Sequence, residues 1–153
     1  MAASAWTIVN SAKEFIGDGT IDLDNDTFKL ALFTTGYTPS ATQQTFGAIA
    51  TDEIVHASYT DGGETLAGVT WSRTAGQVVF DANDVAITST AGELSAKYAV
   101  IYDDSTATAG DPVTDAILCY SNLSSTGGDV SVTQDNTLTI KFATTGGGIF
   151  TAS

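Results

Sequence analysis

Apolar and polar residues alternate from Thr27 onward, and this period of two constrains the chain more than any other feature. Phe28, Leu30 and Leu32 alternate with Lys29 and Ala31. That is the pattern of a strand with one buried face, because successive side chains of extended backbone point to opposite sides. Residues 69–72, 77–80, 85–88, 98–102 and 116–120 read the same way, rich in β-branched or aromatic residues and bounded by Gly, Asp, Asn or Ser. Residues 129–133 and 137–143 place Val130, Val132, Leu138, Ile140 and Phe142 on alternate positions. They predict a hairpin closed by Gln134-Asp135-Asn136, with Asn136 in the left-handed backbone. A closing strand is predicted at Ile149-Phe150, after Gly146-Gly147-Gly148. Thr is the commonest residue, and the two prolines, Pro39 and Pro112, stand in polar loop contexts. Many short strands with turn residues between them predict an all-β fold, an antiparallel β-sandwich or barrel-like domain of about eight strands. Residues 37–55 break the pattern, and 46–55 reads as a helical turn or an irregular loop.

One segment carries helical punctuation. Ser4 is a usable N-cap, Trp6, Val9, Ala12 or Lys13, and Ile16 follow at three- to four-residue spacing, and Gly17 stands where a C-terminal cap would. A short amphipathic helix is expected over residues 5–16, its apolar stripe widened by Ile8, Ala12 and Phe15. With 153 residues the expectation is a single β domain over 1–153, with 1–17 as its N-terminal helical segment and 27–153 as the β-sandwich.

Charge narrows the possible partners. Five Lys and Arg against 18 Asp and Glu leave a net charge of −13, which repels nucleic acid, anionic lipid and phosphate-rich substrates. Hydrophobic residues at 42% against 15% charged supply a core, so the composition is that of a folding chain. Neither a signal-peptide pattern nor a membrane-spanning run is visible, and synthesis in the cytosol is expected. Cys119 is the single cysteine and has no partner for a disulfide within the chain.

Candidates for chemistry are few. Asp22, Asp24 and Asp26 put three carboxylates on alternate residues, as in the opening of a calcium loop. An EF-hand would continue with Gly and end with Glu, where this chain has Thr27 and Phe33, so the competing reading is a solvated turn entering the first strand. Asp103-Asp104 with Asp111 forms a second acidic patch, read as an exposed hairpin loop. His56 is the only histidine, so any Ser-His or Cys-His mechanism runs through it with Asp52 or Asp61 orienting the ring. No nucleophile elbow supports that, and Cys119 sits mid-strand as a small hydrophobe. No catalytic residue or enzymatic activity is assigned. Trp6, Trp71, Tyr37, Tyr59, Tyr98, Tyr102 and Tyr120 offer faces for sugar stacking, with core packing the competing role for Trp71, Tyr98 and Tyr120. Trp6, Val9 and Phe15 on the expected helix are the candidates for contact with a partner.

Further specificity comes from a likeness. The series Ala12-Lys13-Glu14-Phe15-Ile16-Gly17-Asp18-Gly19, Asp26-Thr27-Phe28-Lys29-Leu30-Ala31-Leu32-Phe33, Tyr59-Thr60-Asp61-Gly62-Gly63, Leu66-Ala67-Gly68-Val69-Thr70-Trp71 and Tyr98-Ala99-Val100-Ile101-Tyr102-Asp103-Asp104 resembles small virion proteins of tailed bacteriophages over nearly the whole chain. The resemblance implies a non-enzymatic structural role, foremost as a capsid decoration (cement) protein on the outer surface of the head lattice. It implies the major capsid protein as partner, a homotrimer matched to three-fold lattice sites, and a location on the virion exterior after synthesis in the host cytoplasm. No cofactor is implied. A head-fibre or tail accessory protein is one alternative. Another is a carbohydrate-binding or adhesion module for a host-surface glycan, with calcium at Asp22, Asp24 and Asp26.

Overall fold

A computed structural model describes residues 5–105, 113–142 and 148–152. Ser4, Asp111, Pro112, Ala143, Gly146 and Gly147, used in the sequence reading, lie outside the described residues. The described chain runs β1 (Thr7–Ile8), α1 (Asn10–Asp18), β2 (Phe28–Phe33), β3 (Glu64–Thr65), β4 (Thr70–Thr74), β5 (Gln77–Asp81), β6 (Val85–Thr88) and β7 (Leu94–Ala96). It continues with β8 (Tyr98–Asp103), β9 (Ile117–Asn122), β10 (Val130–Val132), β11 (Thr137–Ile140) and β12 (Phe150–Ala152). The fold is all-β with one short N-terminal helix, and every strand pairing is antiparallel.

The strands form a five-stranded sheet in the order β1-β9-β8-β2-β3, a three-stranded sheet in the order β12-β5-β4, and two pairs, β10-β7 and β11-β6. Each sheet therefore takes one strand from residues 117–152. At the centre, β2 and β8 pair over their whole length from Phe28↔Asp103 to Phe33↔Tyr98. Ala31 and Phe33 of β2 are as fully buried as Phe28, Leu30 and Leu32, so both faces of this strand are covered and only Lys29 is partly exposed. The single buried face expected from alternation is corrected on that account. One face packs against the three-stranded sheet, where the rings of Phe28 and Phe80 meet edge to face at 5.2 Å and Phe80 stacks on Phe150. The other face lies under residues 34–63, with Tyr37 against Phe33 at 4.3 Å and Phe46 stacked flat on Tyr102 at 4.2 Å. Residues 46–52 make two 3-10 turns, Phe46–Ala48 and Ala50–Asp52, which resolves the stretch left between turn and loop.

The hairpin expected between residues 129 and 143 does not form. β10 pairs with β7 from Val130↔Ala96 to Val132↔Leu94, and β11 with β6 from Thr137↔Thr88 to Ile140↔Val85. Each strand instead serves a long-range partner. Ser89 and residues 135–136 exchange backbone bonds across the gap, Ser89 N–H donating to Asn136 and Asp135 N–H to Ser89. The two pairs thus make one bent ribbon whose register slips by one residue at the bend. Asp135, rather than Asn136, takes the left-handed backbone, with φ of 67°.

The helix is also shorter and later than expected. Thr7 and Ile8 are captured as an edge strand opposite Tyr120 and Cys119, the Val9 N–H donates to the Leu118 carbonyl at 3.1 Å, and the helix starts only at Asn10. It passes through Gly17 and ends where Gly19 takes φ of 85°, the left-handed cap that glycine adopts without penalty.

Candidate functional site

Residues 53–63 return over the outer edge of β2 and are tied there by a connected set of hydrogen bonds. Glu53 bridges Phe33, and the Ile54 N–H donates to the Leu32 carbonyl at 3.0 Å. The buried Tyr59 hydroxyl accepts the Leu32 N–H at 2.9 Å and donates to the Glu53 carboxylate, whose second oxygen accepts the Gly62 N–H at 3.0 Å. From β8, the Tyr102 hydroxyl donates to the Gly62 carbonyl at 2.6 Å. Gly63 follows with φ of +89°, so close to β2 that a Cβ would stand 2.7 Å from the Leu30 carbonyl carbon and 2.9 Å from the Ala31 nitrogen. Burial raises the phenol pKa of Tyr59, and its bond to Glu53 adds to the rise; burial does the same for Tyr102, aided by the charge of Asp104. The Tyr-Thr-Asp-Gly-Gly series is a structural lock: tyrosines supply the bonds and glycines the close approach. Asp61 at its tip is exposed.

The Asp22, Asp24, Asp26 turn serves its own backbone. Asp22 accepts the Asn25 side-chain amide at 2.8 Å and the backbone N–H groups of Asp24 and Asn25 at 3.0 and 3.2 Å, bonds that hold its carboxyl below the usual range, the Asn25 side chain contributing most. Asp26 accepts the Asp22 N–H at 2.6 Å. Among the described residues no group of three or more His, Cys, Asp or Glu is arranged to hold a metal ion, so these three candidates do not converge on a calcium site. The turn reading accounts for their geometry.

Asp103 departs from the exposed loop expected of it, because it is the last residue of β8 and only 7% exposed. Its carboxyl accepts the Ser105 N–H at 2.8 Å and hydrogen-bonds the side chain of Asp26. Burial pushes its pKa up; the Ser105 bond opposes this and the Asp26 carboxyl reinforces it, leaving a value of about 6. Backbone links hold the two acids together: Thr27 N–H to the Ser105 hydroxyl and Asp104 N–H to the Thr27 carbonyl, both 2.8 Å. Asp104 makes a salt bridge of 2.9 Å with Lys29.

Among the described residues no nucleophilic pair is assembled around His56 or Cys119. The His56 Nδ1 accepts the Ser58 N–H at 3.1 Å, and Nε2 is buried without a partner among the described residues, so neither nitrogen meets Asp52 or Asp61. A buried donor left without an acceptor costs about 1–3 kcal/mol. Cys119 is fully buried in β9, and burial raises its thiol pKa well above the ordinary value.

The partner-contact candidates are redistributed by the late helix start. Val9 is completely buried at its N-terminus and Phe15 nearly so, and both belong to the core. Trp6 lies outside the helix, partly buried with its ring 5.7 Å from Phe142. Core packing has used the surface that Val9 and Phe15 would need for a neighbour, so the helix-borne contact patch is corrected. Trp71, Tyr98 and Tyr120 also pack against the core.

The surface carries a cleft of about 360 Å³. Thr34 at the end of β2, residues 52–56, and Glu93, Leu94 and Ser95 line it. Ile54 turns inward as a core residue and leaves its neighbour Val55 90% exposed, the one large apolar side chain so placed among the described residues. Asp52 and Glu93 are exposed beside it, and among the described residues no Lys or Arg lines the cleft. Its one sequence signal is the adjacent Ile54-Val55 pair, of which the structure buries Ile54 and exposes Val55. Comparison with protein-family models, with curated proteins and with solved structures found no match to this chain.

Proposed function

We propose that this protein is a non-enzymatic structural component of a tailed-bacteriophage virion, a decoration protein that binds the outer surface of the head lattice and stabilises it, as a homotrimer on three-fold sites. The observation that carries this reading is where the likeness to small phage virion proteins falls. Its segments are the helix with its Gly19 cap, strand β2, the Tyr59-to-Gly63 lock, the approach to β4, and strand β8. These parts bond to one another: β2 pairs with β8, and the lock clasps both. A likeness concentrated in an interlocked scaffold suits a protein whose work is to present a stable surface repeatedly, where many weak contacts add through avidity. The acidic, Thr-rich exterior suits the same role by keeping the outward face solvated.

The test is recovery. Purified particles should carry the protein in fixed stoichiometry with the major capsid protein, and the isolated protein should sediment as a trimer. Absence from particles that contain its transcript's other products would end the proposal.

A further inference from the structure

We infer that the cleft between residues 52–56 and Glu93–Ser95 seats a Lys or Arg side chain projecting from a partner protein, with Val55 as the apolar contact beside it. The inference rests on the proposed function in one respect, that the protein works by docking on another.

Three independent features meet at this place. The first is shape, since a cleft near 360 Å³ lies at the low end for small-molecule sites and opens to solvent instead of enclosing its contents, which suits one side chain from a neighbouring surface. The second is Val55, since an isolated exposed valine is ordinary but one at the rim of a cleft supplies the apolar centre that docking contacts share. The third is charge: the exposed Asp52 and Glu93 line the cleft, and among the described residues no Lys or Arg does. Glu53 is already committed to Tyr59 and Gly62, and Glu93 is held lightly by the Ser95 hydroxyl at 3.2 Å. Asp52 and Glu93 therefore supply the charge for a visitor, whose alkyl stem would lie along the exposed Val55. An anionic or purely apolar partner would leave these carboxylates facing like charge or stripped of water.

The probes are the capped peptides acetyl-Ala-Val-Lys-Ala-amide and acetyl-Ala-Val-Arg-Ala-amide, with the Glu counterpart and free lysine amide as comparisons. Binding is followed by NMR through the Val55 methyls, the His56 ring and the Leu94 and Ser95 amides. The Lys and Arg peptides should shift these signals saturably, less so in 0.5 M NaCl, and the Glu peptide should not. The double variant D52N/E93Q should weaken the Lys peptide roughly three- to tenfold, V55S should weaken it as well, and the remote double variant D61N/D135N should leave it unchanged. Absence of saturable shifts, shifts spread over the acidic surface, equal weakening by D61N/D135N, or lysine amide binding as tightly as the peptide would each overturn the inference. If the peptides fail while the protein is found on particles, only this cleft assignment falls. If they bind while particles lack the protein, the cleft stands and the virion role falls.

Discussion

Replacing Asp103 with Asn tests the account of the buried acid at the end of β8. In the folded chain the Asp103 carboxyl holds its proton up to about pH 6 instead of the ordinary 3.8, burial being the main cause and Asp26 a further one. A group whose folded pKa lies above its unfolded one stabilises the fold fully below the unfolded value, and that stability is lost as pH rises through the folded value. Asp103 therefore contributes most below about pH 4 and nothing above about pH 7. At roughly 1.4 kcal/mol per pH unit, the gap corresponds to a charge penalty of at most about 3 kcal/mol at pH 8. Asparagine keeps an oxygen for the Ser105 N–H and turns an amide donor toward Asp26, but carries no charge. Allowing for imperfect amide geometry, D103N should be about 1–2 kcal/mol more stable than the parent at pH 8 and equal within about 0.5 kcal/mol at pH 4.5. Urea unfolding at pH 4.5, 6 and 8, followed by the fluorescence of Trp6 and Trp71, measures this directly. An offset that does not change with pH, or a D103N variant less stable at pH 8, would refute the reading of Asp103 as a buried acid whose charged form is penalised by the fold.

Other outcomes follow from the lock and the core. Gly63→Ala drives a Cβ into the backbone of Leu30 and Ala31 and should cost at least about 3 kcal/mol or prevent folding, whereas Gly76→Ala, at φ of +87° with open space around it, should cost about 1–2 kcal/mol; thermal melts of the pair separate collision from backbone strain. Tyr59→Phe leaves the buried Leu32 N–H without its acceptor and should destabilise by about 1–3 kcal/mol, with faster hydrogen exchange at Leu32 than at Ile101 as its local signature. Cys119 should resist a thiol reagent at pH 8 in the native protein and react within the unfolding transition in urea, because its sulfur is both buried and protonated.

The sequence disclosed what rests on neighbouring residues and concealed what rests on distant ones. Alternation located β2, β5, β6, β8 and β9 closely, since burial of one side chain in two depends only on its own strand. The same alternation could not tell that Ala31 and Phe33 would also be covered, because the cover comes from Tyr37 and Phe46 on an irregular segment. It paired residues 129–133 with 137–143 because a suitable turn lay between them, yet Val130–Val132 registers with β7 and Thr137–Ile140 with β6. Trp6 and Ile8 fit a helical stripe by spacing, but the open edge of β9 claimed Thr7 and Ile8 first. The aspartates of the 22–26 turn were legible as a turn from their type alone. The lock was invisible because its bonds join residues 32, 53, 59, 62 and 102, and so was the cleft, which depends on residues 52–56 lying beside 93–95.

That residues 117–152 give one strand to each sheet has a consequence for how the protein is made. Translation is vectorial, and until this stretch has left the ribosome every sheet lacks a member and β8, β7, β6 and β5 each present a bare edge. At about 5–20 residues per second, those edges wait a few seconds for their partners. Completion of these sheets therefore waits for residues 117–152 to emerge, and crowded polysomes making this chain are where strands from neighbouring copies would first be exchanged.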